Sequence, residues 1–598
     1  MRKVFMTLSL LAFAKMSGAQ ISEGGLPLRL VSDEAQRLTQ PVTPVYYKAP
    51  DLQTFLSEDK ELSLRDPAPY RCGKRIPVDI SFPGSGTLIT LSDGRRIWRA
   101  QIDAGKVPGL LFYYDRFSLP QGVKYFLTNA NNRQILGAYT EANNAREGLF
   151  ATQEVQGGVV NFELDIDKGV VLEAIQWHIN EAAVMFRAVD YLAQYAEDYV
   201  LTADWLQGSS SVCQINAICP QGSNYPNQRK ATARIISPLD NSYVGLCTGT
   251  LVNNTSADCQ PYFLTASHCE SSNSTANSTF AQCIFYFNFE TPDCAGTGNA
   301  PNTQTVTGAT FVSRSSFNAS SSSLIGDFML LRLNQSVPSA YGAYLAGWNR
   351  ATTLPASNTT YIGFHHPAGD IKKLSKGTSI SGSGTFNQFT TPNTHWRLNF
   401  TEGGIEGGSS GSGLFDVNGR LVGDLSGAPN IQACPQGVNG KGQPKSMNAT
   451  SIVYSKFSRN WQYPEGNGAA NRQLKPWLDP NNTGAITTNA LAASSCQQGK
   501  NDGVTGIGQE QHTLEQSITL YPNPVVNGTL RIKVNLPRAA ELNVTVYDIT
   551  GSAKASYRIG NAGNGDYALD MKGYANGTYL VKIGSDKATI SRKIMVQH

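Results

Sequence analysis

Eight of the ten cysteines fall between Cys213 and Cys434. In a reducing compartment such a cluster would suggest metal binding or catalysis, whereas in an oxidising one it braces a fold. The first residues decide between these. Arg2 and Lys3 are basic, Val4 to Ala14 is an apolar run, and Ser17-Gly18-Ala19 fits a small-residue cleavage pattern. Residues 1–19 therefore read as a signal peptide, too short to span a membrane. Export makes disulfides the expectation. Around the cysteines, PYFLTA, CIFYFNF, DFMLLRL and RLVGDL read as strands, so the expected class is all-β.

A chain of 598 residues exceeds one ordinary domain. Residues 20–207 carry strand-like runs such as VDISF, TLITL and VVNFELDI and form an expected β-rich domain. The cysteine-rich domain spans 208–490, a polar linker 491–515, and a small β-domain 516–598 with strands RIKVNL, LNVTVYDI, YLVKI and ISRKIMV. Charged residues make up 16%, below the roughly 25% usual for globular proteins. Ser, Thr, Asn and Gly take their place, as suits a loop-rich exported protein. The net charge of +4 is dispersed, so no nucleic-acid partner is expected. No later run of eighteen apolar residues occurs.

One set of residues carries chemistry. His268 ends the apolar run YFLTASHC. Asp327 opens LIGDFMLLRL, where a buried carboxylate needs a partner. Ser410 sits in GSSGSG, whose glycines permit a tight turn with exposed amides. A serine hydroxyl is a weak nucleophile that needs a base, and the base needs an orienting acid. His268, Asp327 and Ser410 supply the three roles in the chain order His, Asp, Ser, which is the chymotrypsin order. Neither a metal nor a cofactor is expected, since no His/Cys/acid spacing suits zinc.

With LCTGTLVNN, YFLTASHC, DFMLLRLN and GSSGSG in order, the chain resembles the trypsin-like serine proteases. With CQINAICPQG, CTGTLVNNT, AGWNRA, FHHP and PWLDPNNTGA added, residues 208 to 488 resemble the bacterial lysyl endopeptidases. The resemblance implies a chymotrypsin-like double antiparallel β-barrel with the triad between the barrels, and a secreted endopeptidase acting on proteins or peptides. It places the nucleophile at Ser410 and the oxyanion hole at the amides of Gly408 and Ser410. One such donor is worth roughly 3 kcal/mol of transition-state stabilisation. Ser409 stands where trypsin keeps an aspartate that pairs with a new N-terminus, so that activation switch is expected to be absent. The implied disulfides are Cys213–Cys434, Cys219–Cys294 and Cys247–Cys269. Cys259 and Cys283 are left over, each the other's candidate partner, and Cys72 and Cys496 are expected to stay free; sequence alone does not fix connectivity.

The resemblance places Ser426, Gly427 and Ala428 along the substrate backbone, in strand-addition fashion. It puts Ile452 where lysyl endopeptidases hold the substrate lysine with an aspartate. An ammonium buried against isoleucine would be unpaired, so lysine specificity is not expected. Glu406 is the remaining acidic candidate, set against a solvated loop residue. The mature start is expected near Gly208, and no Lys or Arg occurs from Ala188 to Gln228. Either another protease cuts there or this one prefers another residue, with Ala203, Leu206 and Gln207 the nearby candidates and a small or apolar side chain the expectation.

Residues 20–207, with ILGAYTEAN and INEAAVMFRAV, resemble the family's propeptide, implying a folding chaperone and inhibitor; the alternative is a separate β-sandwich binding domain. LYPNPVVNGTLRI, VYDITG, LDMKGYANGTYLVKI and ISRKIMVQ resemble type IX secretion sorting domains. That resemblance implies a small β-sandwich, the type IX machinery as partner, passage across the outer membrane, and release or attachment at the surface. The alternative is a carbohydrate-binding or fibronectin-like module. The expected protein is a monomeric secreted serine endopeptidase. Its rival is a noncatalytic surface-binding or adhesion protein on a protease scaffold.

Overall fold

The computed structural model describes residues 22–597 apart from 63–68, 146, 198–208, 241, 271, 297–299, 301, 317–324, 354–358, 385–392, 429–451, 499–513, 515–516, 549–551 and 586–588. The signal peptide, Gly208, Cys434 and most of the expected linker lie outside the described residues. The chain divides into two compact units, Met1–Cys496 and Gln497–His598.

The first unit begins with a sandwich of two antiparallel sheets. One contains Arg96–Asp103, Val159–Ile166, Val123–Asn129 and Ile135–Tyr139; the other contains Tyr70–Ser81, Gln176–Met185 and Gly109–Ser118. Alternating apolar residues from both sheets meet in one aromatic core around Trp98, Phe112, Tyr114, Tyr125, Phe162 and Trp177. The second of these sheets does not stop at the sandwich. Tyr70–Ser81 pairs antiparallel with Tyr243–Val252, with Tyr70 opposite Leu246 and Lys74 opposite Tyr243. A single sheet of 12 strands therefore runs from the sandwich into the cysteine-rich region.

Within that region Tyr243–Val252 is buried at every position and pairs with Thr232–Pro238 and Tyr262–Thr265. Tyr262–Thr265 pairs in turn with Met329–Leu333, and that strand with Ala309–Arg314. These strands wrap the core of Phe263, Phe285, Val306 and Leu331. A second sheet closes on itself. It runs Lys373–Gly384, Tyr361–His365, Gly413–Phe415, Leu421–Gly427, Ile452–Lys456 and His395–Glu402, and the last strand pairs back with the first. Closure leaves no open edge, and Tyr361, Trp396, Leu414, Leu425, Ile452 and Tyr454 fill the inside. A third cluster, with Trp348, Phe328, Phe457 and Trp461, packs between the two barrel-like sheets. The fold is the all-β, chymotrypsin-like one that the sequence implies.

The cysteines follow the expectation in part. Cys219–Cys294 and Cys247–Cys269 are bonded, and Cys213 is in a disulfide whose expected partner lies outside the described residues. The remaining assignment is corrected: Cys259 pairs with Cys496, across 237 residues. Leu491–Ala492 adds to Tyr344–Leu345 and carries Cys496 back to the barrel. Cys283 instead precedes the buried strand Ile284–Tyr286, with its sulfur 3.3 Å from the Ser237 hydroxyl. It is a buried thiol, as is Cys72.

The second unit is a five-stranded antiparallel sheet around Val534, Val544, Leu569, Val581 and Ile594. The YPNP stretch is held to its last strand by Asn523, which accepts from the Met595 amide at 2.8 Å and donates to the Lys593 carbonyl at 3.2 Å.

Candidate active site

The strand Tyr262–Thr265 ends in a single 3-10 turn, Ser267–Cys269, which carries His268. That turn is fastened at several points. The Ser267 amide donates to the Asp327 carbonyl at 3.1 Å. Arg314, fully buried, donates to the Ser267 hydroxyl and carbonyl at 3.0 and 2.7 Å and to Glu270 at 2.6 Å. The Cys247–Cys269 bridge ties the next residue to Tyr243–Val252.

Asp327 is 0% exposed and faces His268 with both oxygens. Oδ1 accepts the His268 amide at 3.0 Å, and Oδ2 lies 2.7 Å from Nδ1 of the ring. The backbone amide of Asp327 donates to the Ser455 hydroxyl at 3.0 Å. The imidazole is thus held through Nδ1, and a neutral ring so held carries its lone pair on Nε2.

The turn at Ser410 is tight because two glycines permit it. Gly408 and Gly411 have φ of 92° and 81°. A Cβ on Gly411 would lie 2.1 Å from the Thr265 hydroxyl, so only glycine fits there. Thr248 donates its amide to the Ser410 carbonyl at 2.9 Å and its hydroxyl to the Gly408 carbonyl at 2.8 Å. The Ser410 carbonyl also lies 3.8 Å from the sulfur of Cys269, the neighbour of His268. Among the described residues, no acceptor is bonded to the amides of Gly408 or Ser410. Both are available as donors.

Ser409, beside the serine at the turn, points inward. Its hydroxyl lies 2.9 Å from Nδ1 of His365, whose Nε2 lies 2.8 Å from the Ser375 hydroxyl. Burial, with Lys373 nearby, pushes His365 down to about 3, so the ring is neutral. A neutral hydroxyl–imidazole–hydroxyl relay thus fills the place where an aspartate would need a cation. His365, in FHHP, is not evident from the sequence as part of the site; the signal for it is a serine at an otherwise acidic position, which calls for a neutral partner.

The residues assigned to substrate sit on the closed sheet. Ser426 is buried, with its hydroxyl 3.1 Å from Nε2 of His395. Gly427 pairs with Val453, and Ala428 and Ile452 lie in one apolar cluster with Ile405, Leu398 and Leu425. Ile452 is fully buried. Glu406 is neither in that cluster nor a solvated loop residue. Its Oε1 accepts the Ser211 amide at 3.0 Å and the Gln214 side chain at 2.8 Å. Among the described residues no cluster of His, Cys, Asp and Glu suits a metal ion.

Residues 207–440 match the lysyl endopeptidase C-terminal domain, and residues 519–597 match the secretion system C-terminal sorting domain. The chain is 32% identical over 266 residues to a lysyl endopeptidase of Pseudomonas aeruginosa, covering 42% of this chain and 52% of that one. It thus spans about half the length of that relative. Among solved structures, human heparin binding protein aligns at 14% identity, covering 40% of this chain and 92% of its own, with a TM-score of 0.25. An HtrA-type protease solved with a decapeptide aligns at 9% identity, covering 63% and 97%, with a TM-score of 0.24. The chain carries a lysyl-endopeptidase-type domain followed by a sorting domain, which makes it a secreted or cell-surface protein exported across the outer membrane.

Proposed function

We propose that the protein is a serine endopeptidase. Ser410 attacks the scissile carbonyl while Nε2 of His268 takes its proton. Asp327 keeps the ring oriented and stabilises the imidazolium that forms. The amides of Gly408 and Ser410 take the developing oxyanion. The proton on His268 then passes to the leaving amine, and water, activated by the same ring, resolves the acyl-enzyme. The observation that carries this reading is the double engagement of Asp327 with the amide and ring of His268, at 3.0 and 2.7 Å. The Ser410 turn is bonded to the strand on the other side of the same bridge. Intact mass and N-terminal sequencing of the exported precursor test it, wild type beside Ser410→Ala. Loss of the N-terminal region only in the wild type supports the reading; both remaining whole under conditions that cleave peptides counts against self-processing.

The residue before the scissile bond is proposed to be small or apolar. Ile405, Ala428 and Ile452 share an apolar cluster, and the acid next to Ile405, Glu406, is committed to residues 211 and 214. Burying an unpaired ammonium costs several kcal/mol. Chromogenic peptides ending in Ala, Val or Leu are therefore expected to be cut with kcat/KM on the order of 10²-fold above the lysine peptide. Ile452→Asp is expected to narrow that gap. A lysine peptide that matches or beats the others in the wild type would refute the pocket.

The N-terminal sandwich is proposed to hold the centre latent. Its strand Tyr70–Ser81 occupies the edge of Tyr243–Val252, the strand that anchors the Ser410 turn through Thr248. The ring of Tyr70 packs against Gly407, where a Cβ would lie 2.5 Å from it. The type IX machinery is proposed as the partner of residues 516–598.

A further inference from the structure

Asp424 lies in the strand Leu421–Gly427, whose sequence LVGDLSGA reads only as a substrate edge. It is 1% exposed. Its Oδ1 accepts a single hydrogen bond, from Nδ2 of Asn460 at 3.3 Å, and Oδ2 has no partner among the described residues. The charged groups on the elements around it are engaged elsewhere. Lys456, opposite Gly423 in the next strand, lies over the Trp396 ring at 4.4 Å. Arg459 pairs with Glu465, and Arg314 with Glu270. His395 is kept neutral by burial, at about 4. Burial first, and then the negative charge of Asp327, hold the Asp424 carboxyl well above the usual range. A buried carboxyl with one donor and no cation favours its protonated form.

The hydrogen bonds of Asp424 lead to the site. Asn460 Nδ2 also donates to the Ser455 hydroxyl at 2.9 Å, and that hydroxyl accepts the Asp327 amide at 3.0 Å. Asn460 Oδ1 lies 3.2 Å from the same hydroxyl. Asp424 therefore fixes which way the Asn460 amide faces, Asn460 fixes the Ser455 hydroxyl, and Ser455 holds the backbone from which the Asp327 carboxylate projects. A buried, half-satisfied polar group costs stability that an apolar group of the same shape would not. Such costs concentrate at functional sites.

We propose that Asp424 is a positioning residue of the catalytic centre, a buried carboxyl that orients Asp327 through Asn460 and Ser455. The proposal rests on the reading of His268, Asp327 and Ser410 as the triad. It has a test besides activity. The folded chain holds the Asp424 proton to higher pH than the unfolded chain, which loses it above about pH 4. Wild-type stability therefore falls as pH rises from there toward the folded value, and Asp424→Asn is spared that loss.

Three variants of the full-length chain decide it: Asp424→Asn, Asp424→Leu and Ser410→Ala. Asp424→Asn, which keeps a polar group of the same shape, is expected to retain kcat within threefold. Its Tm advantage over wild type should grow between pH 4 and pH 8. Asp424→Leu is expected to lose at least tenfold in kcat with KM unchanged. A leucine variant with wild-type kcat would overturn the positioning role. An Asp424→Asn advantage that is the same at both pH values would overturn the retained proton, even if the leucine variant does not fold. Full activity in Ser410→Ala would instead overturn the assignment of the triad, leaving the proton measurement intact.

Discussion

Asp327→Asn is expected to lower kcat about 10⁴-fold while leaving KM within a few fold and the fold intact. The reason lies in the two bonds that Asp327 makes. Its Oδ2 faces Nδ1 of His268 at 2.7 Å and fixes the tautomer with the free lone pair on Nε2. An asparagine in the same place can present an N–H to that nitrogen, and the ring then carries its proton on the side that must act as base. The backbone bond from His268 at 3.0 Å needs only an oxygen, so the turn survives. The loss therefore falls on the chemical step rather than on binding. Ser410→Ala removes the nucleophile and is expected to abolish labelling by a fluorophosphonate, with a larger drop in kcat. Hydrolysis of the preferred peptide, at saturating and limiting concentrations, separates kcat from KM. Wild-type turnover in either variant would overturn the assignment of that residue to the triad.

Much of the site was legible because its signals are local. TASHC closes an apolar strand, and DFMLLRL opens one with a carboxylate that cannot be buried alone. The glycines of GSSGSG mark a turn, and Gly408 and Gly411 do take positive φ. What was not legible depends on groups far apart in the chain. Cys259 and Cys283 looked like partners because they were left over; nothing in the residues near Cys496 shows that Leu491–Ala492 returns to the barrel. The run YVGLC is apolar at each buried position, and that pattern fits any neighbour, so the pairing with Tyr70–Ser81 could not be read from it. Asp424, His395 and His365 sit in strands that read as ordinary barrel. Their polar partners come from other strands, and period-two patterning reports which face a residue occupies but not what it meets.

The seam between the sandwich and the barrel gives the largest expected effect on stability. Glu154 and Arg234 are both 0% exposed, with Oε1 of Glu154 3.4 Å from Nη2 of Arg234. The hydroxyl of Tyr286 donates to the other carboxylate oxygen. Arg234 donates to the Gly369 carbonyl at 3.0 Å, and its guanidinium lies over Tyr286 and Phe289 at 4.2 and 4.3 Å. Burial works against the charge on Arg234, yet Glu154 and the tyrosines more than offset it. Removing one partner of such a pair leaves an uncompensated buried charge, at about 3–5 kcal/mol. Glu154→Ala, made in the uncleavable Ser410→Ala precursor, is expected to shift the urea midpoint down by that much divided by the slope of the transition. Arg234→Met in the same background strands the Glu154 carboxylate and should cost a similar amount, whereas Glu154→Gln combined with Arg234→Met removes both charges and should lose less. The same pair bears on latency. Once the sandwich is cut away, Arg234 has no carboxylate unless the sandwich stays or returns. Residues 20–207 added in trans should therefore inhibit the processed enzyme, and the Glu154→Ala form should inhibit it at least tenfold less well. A Glu154→Ala precursor with an unchanged midpoint, or a fragment that inhibits equally with alanine there, would show that the shared strand alone holds the two parts together.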